Sequence, residues 1–143
     1  MLYQCNIAGP DLGIGGESDS LNAIKSQLCS TVAKNNPDII VGLKLRLDKN
    51  ITDGGRIENE VLRKALEIAE DAKLPLMVHH TNSGIPFDVD KNHQATTNAS
   101  SNLYVPGSLR PGDIYTHTYS PFAGNNSSIC DLEAKSVRKE IQR

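Results

Sequence analysis

No apolar run in this 143-residue chain approaches the roughly 18 residues of a membrane-spanning helix, so no membrane association is expected. The amino terminus, MLYQCNIAGP, lacks a basic stretch followed by a long apolar one, and no signal peptide is expected. Basic residues are not in excess: 15 Lys and Arg face 17 Asp and Glu, for a net charge of −2. That balance argues against nucleic acid as a partner. The three cysteines, Cys5, Cys29 and Cys130, lie far apart in sequence and form no CxxC pair. They suggest no disulfide framework, and a reducing, cytoplasmic compartment is the expectation. Nowhere does the sequence contain GxGxxG, GxxxxGK[ST] or H-x-H.

What is present is an alternation of element types. Residues 2–8 read as a short strand, followed by the glycine-rich stretch GPDLGIGGESD. A helix is predicted from Ser20 to Lys34, with Leu21, Ile24, Leu28 and Val32 at three- and four-residue spacing. Pro37 ends it, because proline cannot continue a helix and biases its predecessor away from helix. Residues 39–47 read as a strand in which Val41, Leu43, Leu45 and Leu47 alternate with Gly42, Lys44 and Arg46. A second helix is predicted from Ile57 to Lys73, with Ile57, Val61, Ala65, Ile68 and Ala69 as its apolar stripe. LPLMVHH, residues 74–80, is a nearly continuous apolar strand, as expected where both faces are covered. Residues 81–110 are polar and read as an inserted loop, 113–119 as a fourth strand, and Ile129–Gln142 as a last helix. Strand and helix in this order predict parallel βαβ units, hence an α/β fold built as a doubly wound sheet or a (β/α)8 barrel.

In both architectures sites are built at the carboxyl ends of the strands. Polar and ionisable side chains gather there: Gln4 and Asn6, Lys44 and Arg46, His79 and His80, and His117 between Thr116 and Thr118. Each has an ordinary structural counterpart. A lysine in a strand is usually solvated at an edge, but the leucines flanking Lys44 indicate a covered strand, where an ammonium must pair or change its chemical state. A histidine at a strand end is more often structural than a ligand. Two on consecutive parallel strands carry more weight, because neutral imidazole binds zinc and adjacent strand ends lie close together. Arg46 is open to two readings: a clamp for a substrate carboxylate, or the partner of a neighbouring acid. His93 sits in the polar loop and is expected to be exposed. The glycine-rich stretch joins a strand to a helix, whose first amides could hold a phosphate. Without a GxGxxG or GxxxxGK[ST] spacing the stretch reads rather as a loop beside the site or a flexible connection, and a non-catalytic α/β binding module is kept as the alternative function.

Three segments taken in order, VGLKLRL, LPLMVHHT and LRPGDIYTHTYSPF, resemble the amidohydrolase superfamily, most closely its dihydroorotase-like amidohydrolase/deacetylase group. The likeness covers nearly the whole chain apart from the insertion around residues 88–102. It implies a partial (β/α)8 TIM barrel of about four parallel strand–helix units, and a metal-dependent hydrolase acting on a small amide or acetylated substrate. By this resemblance Lys44 is carboxylated by carbon dioxide, and its carbamate bridges two divalent metals, usually zinc. His79 and His117 are further metal ligands, and Arg46, Asn82 and Thr118 orient the substrate. His80 matches no metal position. Two features of the family pattern are missing: the H-x-H pair of the first strand, and a final strand bearing the aspartate that acts as general base. The expectation is therefore an interior piece of a barrel, its third to sixth strands, inactive alone and prone to associate through open sheet edges.

Overall fold

The structure is a computed structural model, which describes residues 3–7, 18, 20–80, 105, 108–116, 130–131 and 135–137. Four strands, β1 (Tyr3–Asn6), β2 (Ile40–Leu47), β3 (Leu76–His80) and β4 (Ile114–Tyr115), form one sheet in chain order. Every neighbouring pair is parallel. Two helices, α1 (Ser26–Asn35) and α2 (Glu58–Ala72), occupy the first two crossovers. α1 packs on β1 and on α2, and α2 packs on β2 and β3. The chain is an α/β protein with the strand–helix arrangement of a partial TIM barrel.

The two-residue period of β2 sorts its side chains. Leu43, Leu45 and Leu47 are completely buried, whereas Lys44 and Arg46 are half-buried. The same division continues across the register. Leu76, Val78 and His80 of β3 are buried, while Met77 and His79 are partly exposed. The buried set meets the apolar stripe of α2, where Val61, Leu62, Ala65 and Ala69 are completely enclosed. Val41 departs from the expected pattern and is 42% exposed. Tyr3 pairs with Ile40 and Gln4 with Gly42, so Val41 is the extra residue of a bulge and lies outside the ladder.

Helix α1 is rotated relative to the sequence-based expectation. Its buried residues are Cys29, Ser30 and Ala33, and Leu28 and Val32 lie outward at 62% and 38% exposure. Leu21 belongs to a short 3-10 turn, Leu21–Ala23, and the α-helix begins only at Ser26. The apolar spacing through residues 21–32 therefore spans two elements with different axial twist. Ser30 donates a short hydrogen bond to Asp71, and Lys34 pairs with the same carboxylate at 2.9 Å, tying α1 to α2.

Helix α2 matches its stripe and ends on a non-glycine left-handed residue. Lys73 has φ 55°. Its N–H donates to the Glu70 carbonyl, and that of Leu74 to the Ala69 carbonyl, both at 3.2 Å. These two bonds form a Schellman motif, in which glycine is favoured at the left-handed position because it has no Cβ to clash. Lys73→Gly is expected to raise stability by about 0.5–1 kcal/mol, read as an increased urea midpoint with unchanged slope.

The approach to β4 is a tight turn, Arg110-Pro111-Gly112-Asp113. The Asp113 N–H donates to the Arg110 carbonyl at 3.0 Å, and Gly112 takes φ 95°. Proline second and glycine third are what a type II turn requires. The Asp113 carboxylate accepts the Leu76 N–H at 2.8 Å and the Arg110 N–H at 2.8 Å. Arg110 also binds this carboxylate through Nε at 3.2 Å and Nη2 at 3.0 Å. Its guanidinium reaches the Leu74 carbonyl and Glu70 of α2, both at 2.8 Å. One arginine–aspartate pair thus joins the start of β4, the start of β3 and the end of α2.

The last element differs in kind from the expectation. Cys130–Asp131 (β5) and Ser136–Val137 (β6) pair antiparallel, where a helix over Ile129–Gln142 is predicted from sequence. Lys135 has φ 51°, a left-handed conformation that cannot continue an α-helix and that instead turns the chain back. No helix among the described residues is long and apolar enough to cross a membrane.

Candidate functional site at the carboxyl edge of the sheet

Parallel pairing brings the chemistry-bearing residues of β2 and β3 to one face. Lys44 pairs with Met77, and Arg46 with His79. Partners in register share a face, so Lys44, Arg46, Met77 and His79 lie together, opposite the face covered by α2. Lys44 and His79 are diagonal neighbours, two residues apart in register on adjacent strands. Their Cα atoms are therefore on the order of 8 Å apart, within joint reach of a long lysine and an imidazole. Lys44 is half-buried and has interaction partners within the fold. On β1, Asn6 pairs with Lys44 in the backbone ladder.

Arg46 has a partner that the sequence reading left open. Its Nη2 donates to Asp48 Oδ2 at 3.1 Å. The Asp48 side chain is only 7% exposed and also accepts the Asn50 N–H at 2.9 Å. Thr52, itself buried, donates its hydroxyl to the Asp48 carbonyl at 2.7 Å. Asp48 therefore organises the turn after β2 and holds the arginine from below. Its signal was in the sequence as Asp-x-Asn directly after a strand, a pattern that closes an Asx turn.

The two consecutive histidines part company. His80 is the last residue of β3, pairs with Leu47, and is 1% exposed in the helix-covered core. Its Nδ1 lies 3.1 Å from the Tyr115 hydroxyl, with the rings edge-on at 66°. It is a core residue. His79 points to the opposite face because successive strand side chains alternate. Thr116, next to β4, donates both its N–H and its hydroxyl to the Val78 carbonyl, at 3.1 and 3.0 Å. It continues the ladder at the edge of the site.

Asn82, His93, His117, Thr118 and most of the glycine-rich stretch lie outside the described residues. Among the described residues no three His, Cys, Asp or Glu side chains come together as a metal centre. A lysine carbamate oxygen and an imidazole nitrogen are donor types that suit a divalent cation, and a catalytic zinc takes three protein ligands.

The fold has a counterpart among solved structures. A crystal structure of an adenine deaminase superposes with a TM-score of 0.64 at 22% sequence identity. The match covers 97% of this chain and 33% of that one, so the chain spans about a third of the neighbour's length. No protein-family model matches the sequence, and no curated protein matches it. At this identity the likeness establishes the fold.

Proposed function

We propose that this chain is the site-bearing part of a metal-dependent hydrolase of the amidohydrolase superfamily, acting on a small amide or acetylated substrate. One observation carries the reading: Lys44 and His79 share a face on adjacent parallel strands, at the carboxyl edge, one diagonal step apart. The structural neighbour, an adenine deaminase, supports it at the level of fold. Lys44, carboxylated by carbon dioxide, and His79 would hold the cation together with His117. A bound divalent metal, zinc by preference, would lower the pKa of a coordinated water and polarise the scissile carbonyl.

The chain's own residues then have defined tasks. Carboxylation converts the Lys44 cation to an anion and removes the need to keep an ammonium in a half-buried position. His79 contributes a neutral nitrogen. Arg46, steadied by Asp48, presents a planar, permanently charged donor to a substrate oxygen. Asn82 and Thr118 complete the substrate contacts in this proposal. Leu43, Leu45 and Leu47 hold the strand against the helices, which fixes where Lys44 and Arg46 project.

Metal analysis tests the reading directly. The full chain, equilibrated with zinc and bicarbonate and then gel-filtered, is expected to retain about one to two zinc equivalents. Lys44→Ala, His79→Ala and His117→Ala should each lower that content by at least about half, with circular dichroism unchanged. Wild-type protein that emerges folded and free of zinc would overturn the proposal.

A further inference from the structure

We propose that Cys5 and Cys29 form a redox-active dithiol that a two-electron oxidant, such as hydrogen peroxide, converts to a disulfide joining β1 to α1. The two residues are 24 apart in sequence, yet their Sγ atoms lie 3.7 Å from each other. Both are reduced cysteines, Cys5 half-exposed and Cys29 buried. Cys5 pairs with Leu43 in the sheet, so it stands on the helix-covered face, and α1 packs on β1 with Cys29 on its buried side. Strand and helix thus aim one thiol each at the same point. A bond needs the sulfurs to close to about 2.05 Å, a movement of less than about 2 Å at two flexible side-chain ends.

The surroundings assign the order of events. Burial, then the adjacent Cys5, push the Cys29 thiol up to about 12, so Cys29 stays protonated at neutral pH. Cys5 is the more exposed and meets the oxidant first. Its sulfur attacks the peroxide: a sulfur–oxygen bond forms, the oxygen–oxygen bond breaks, and the departing hydroxide takes up the Cys5 proton, giving a sulfenic acid and one water. Cys29, giving up its proton to the departing hydroxyl, then attacks the Cys5 sulfur. The sulfur–sulfur bond forms, the sulfur–oxygen bond breaks, and water departs with the Cys29 proton. Two thiols are oxidised, and one peroxide is reduced to two waters. The product closes a loop around the crossover between β1 and α1, which restricts the unfolded chain.

Peptide mapping reads this out. The background is Cys130→Ser, which leaves Cys5 and Cys29 as the two remaining cysteines. Trypsin cuts after Lys25 and so separates the two residues. Oxidised protein is expected to yield a linked pair of peptides, 1–25 and 26–34, two hydrogens lighter than their sum and separable by dithiothreitol. Its melting temperature should rise by about 10 °C, reversibly, and not in Cys5→Ser or Cys29→Ser made in the same background. Complete alkylation of both thiols after peroxide treatment, or disulfides solely between molecules, would overturn the inference.

Discussion

Asp113→Ala is expected to cost about 3 kcal/mol of folding stability, measured by urea unfolding. The Asp113 side chain is 1% exposed and Arg110 28% exposed, so truncation leaves a largely enclosed guanidinium without its main counter-charge. It also strips acceptors from two backbone N–H groups, those of Leu76 and Arg110. The loss should appear as a lower midpoint with the slope nearly unchanged, because the core is untouched. A change below about 1 kcal/mol would show that the clamp is dispensable.

The same carboxylate makes stability depend on acid. Burial pushes the Asp113 carboxyl up, but the hydrogen bonds from Arg110 and from the Leu76 and Arg110 amides outweigh it and hold the group below the usual carboxylate range. A folded-state pKa below the unfolded value means that the unfolded chain binds the proton more readily. The contribution of Asp113 is therefore complete above the unfolded value of about 3.9 and is lost as pH falls through the lower folded value. Asp113→Asn keeps the shape and removes this proton. Its unfolding free energy should decline less than that of wild type between about pH 4 and pH 2.

Leu45→Ala is expected to cost about 3 kcal/mol, by leaving a cavity between β2 and α2. Leu45 is fully enclosed and belongs to the central apolar cluster with Val61, Leu62 and Val78. A volume-conserving Leu45→Met should cost under about 1.5 kcal/mol. Leu28→Ala provides the contrast on α1: at 62% exposure it should fall within about 0.5 kcal/mol of wild type. Equal losses from Leu45→Ala and Leu28→Ala would mean that α1 buries the stripe read from its sequence, contrary to the packing described.

Much of the architecture was legible in the chain. Each of the first three strands was placed within two residues of its ends, and α2 within one. Those elements have dense periodicity in the sequence: four aliphatic residues at every second place from Val41 to Leu47, and five apolar ones at helical spacing from Ile57 to Ala69. Elements with mixed signals fared worse. The stripe through Leu21 to Val32 crossed from a 3-10 turn into α1, and the final helix proved to include a two-stranded pair turned by a left-handed Lys135. The motif LRPGD carries a family likeness in the sequence, whereas the bridging of three elements by Arg110 and Asp113 is set by how those elements pack.

By itself the sequence determined which residues share a face. Lys44 and Arg46 had to leave the face of Leu43, Leu45 and Leu47, because a strand alternates and each step depends only on the local backbone. Tertiary structure decided which faces meet. Register set Arg46 beside His79 and sent His80 into the core with Tyr115. The packing of α1 on β1 brought Cys5 to Cys29 across 24 residues, a pairing that spacing alone argued against. Period is a property of one element, whereas a meeting of two side chains depends on how separate elements pack.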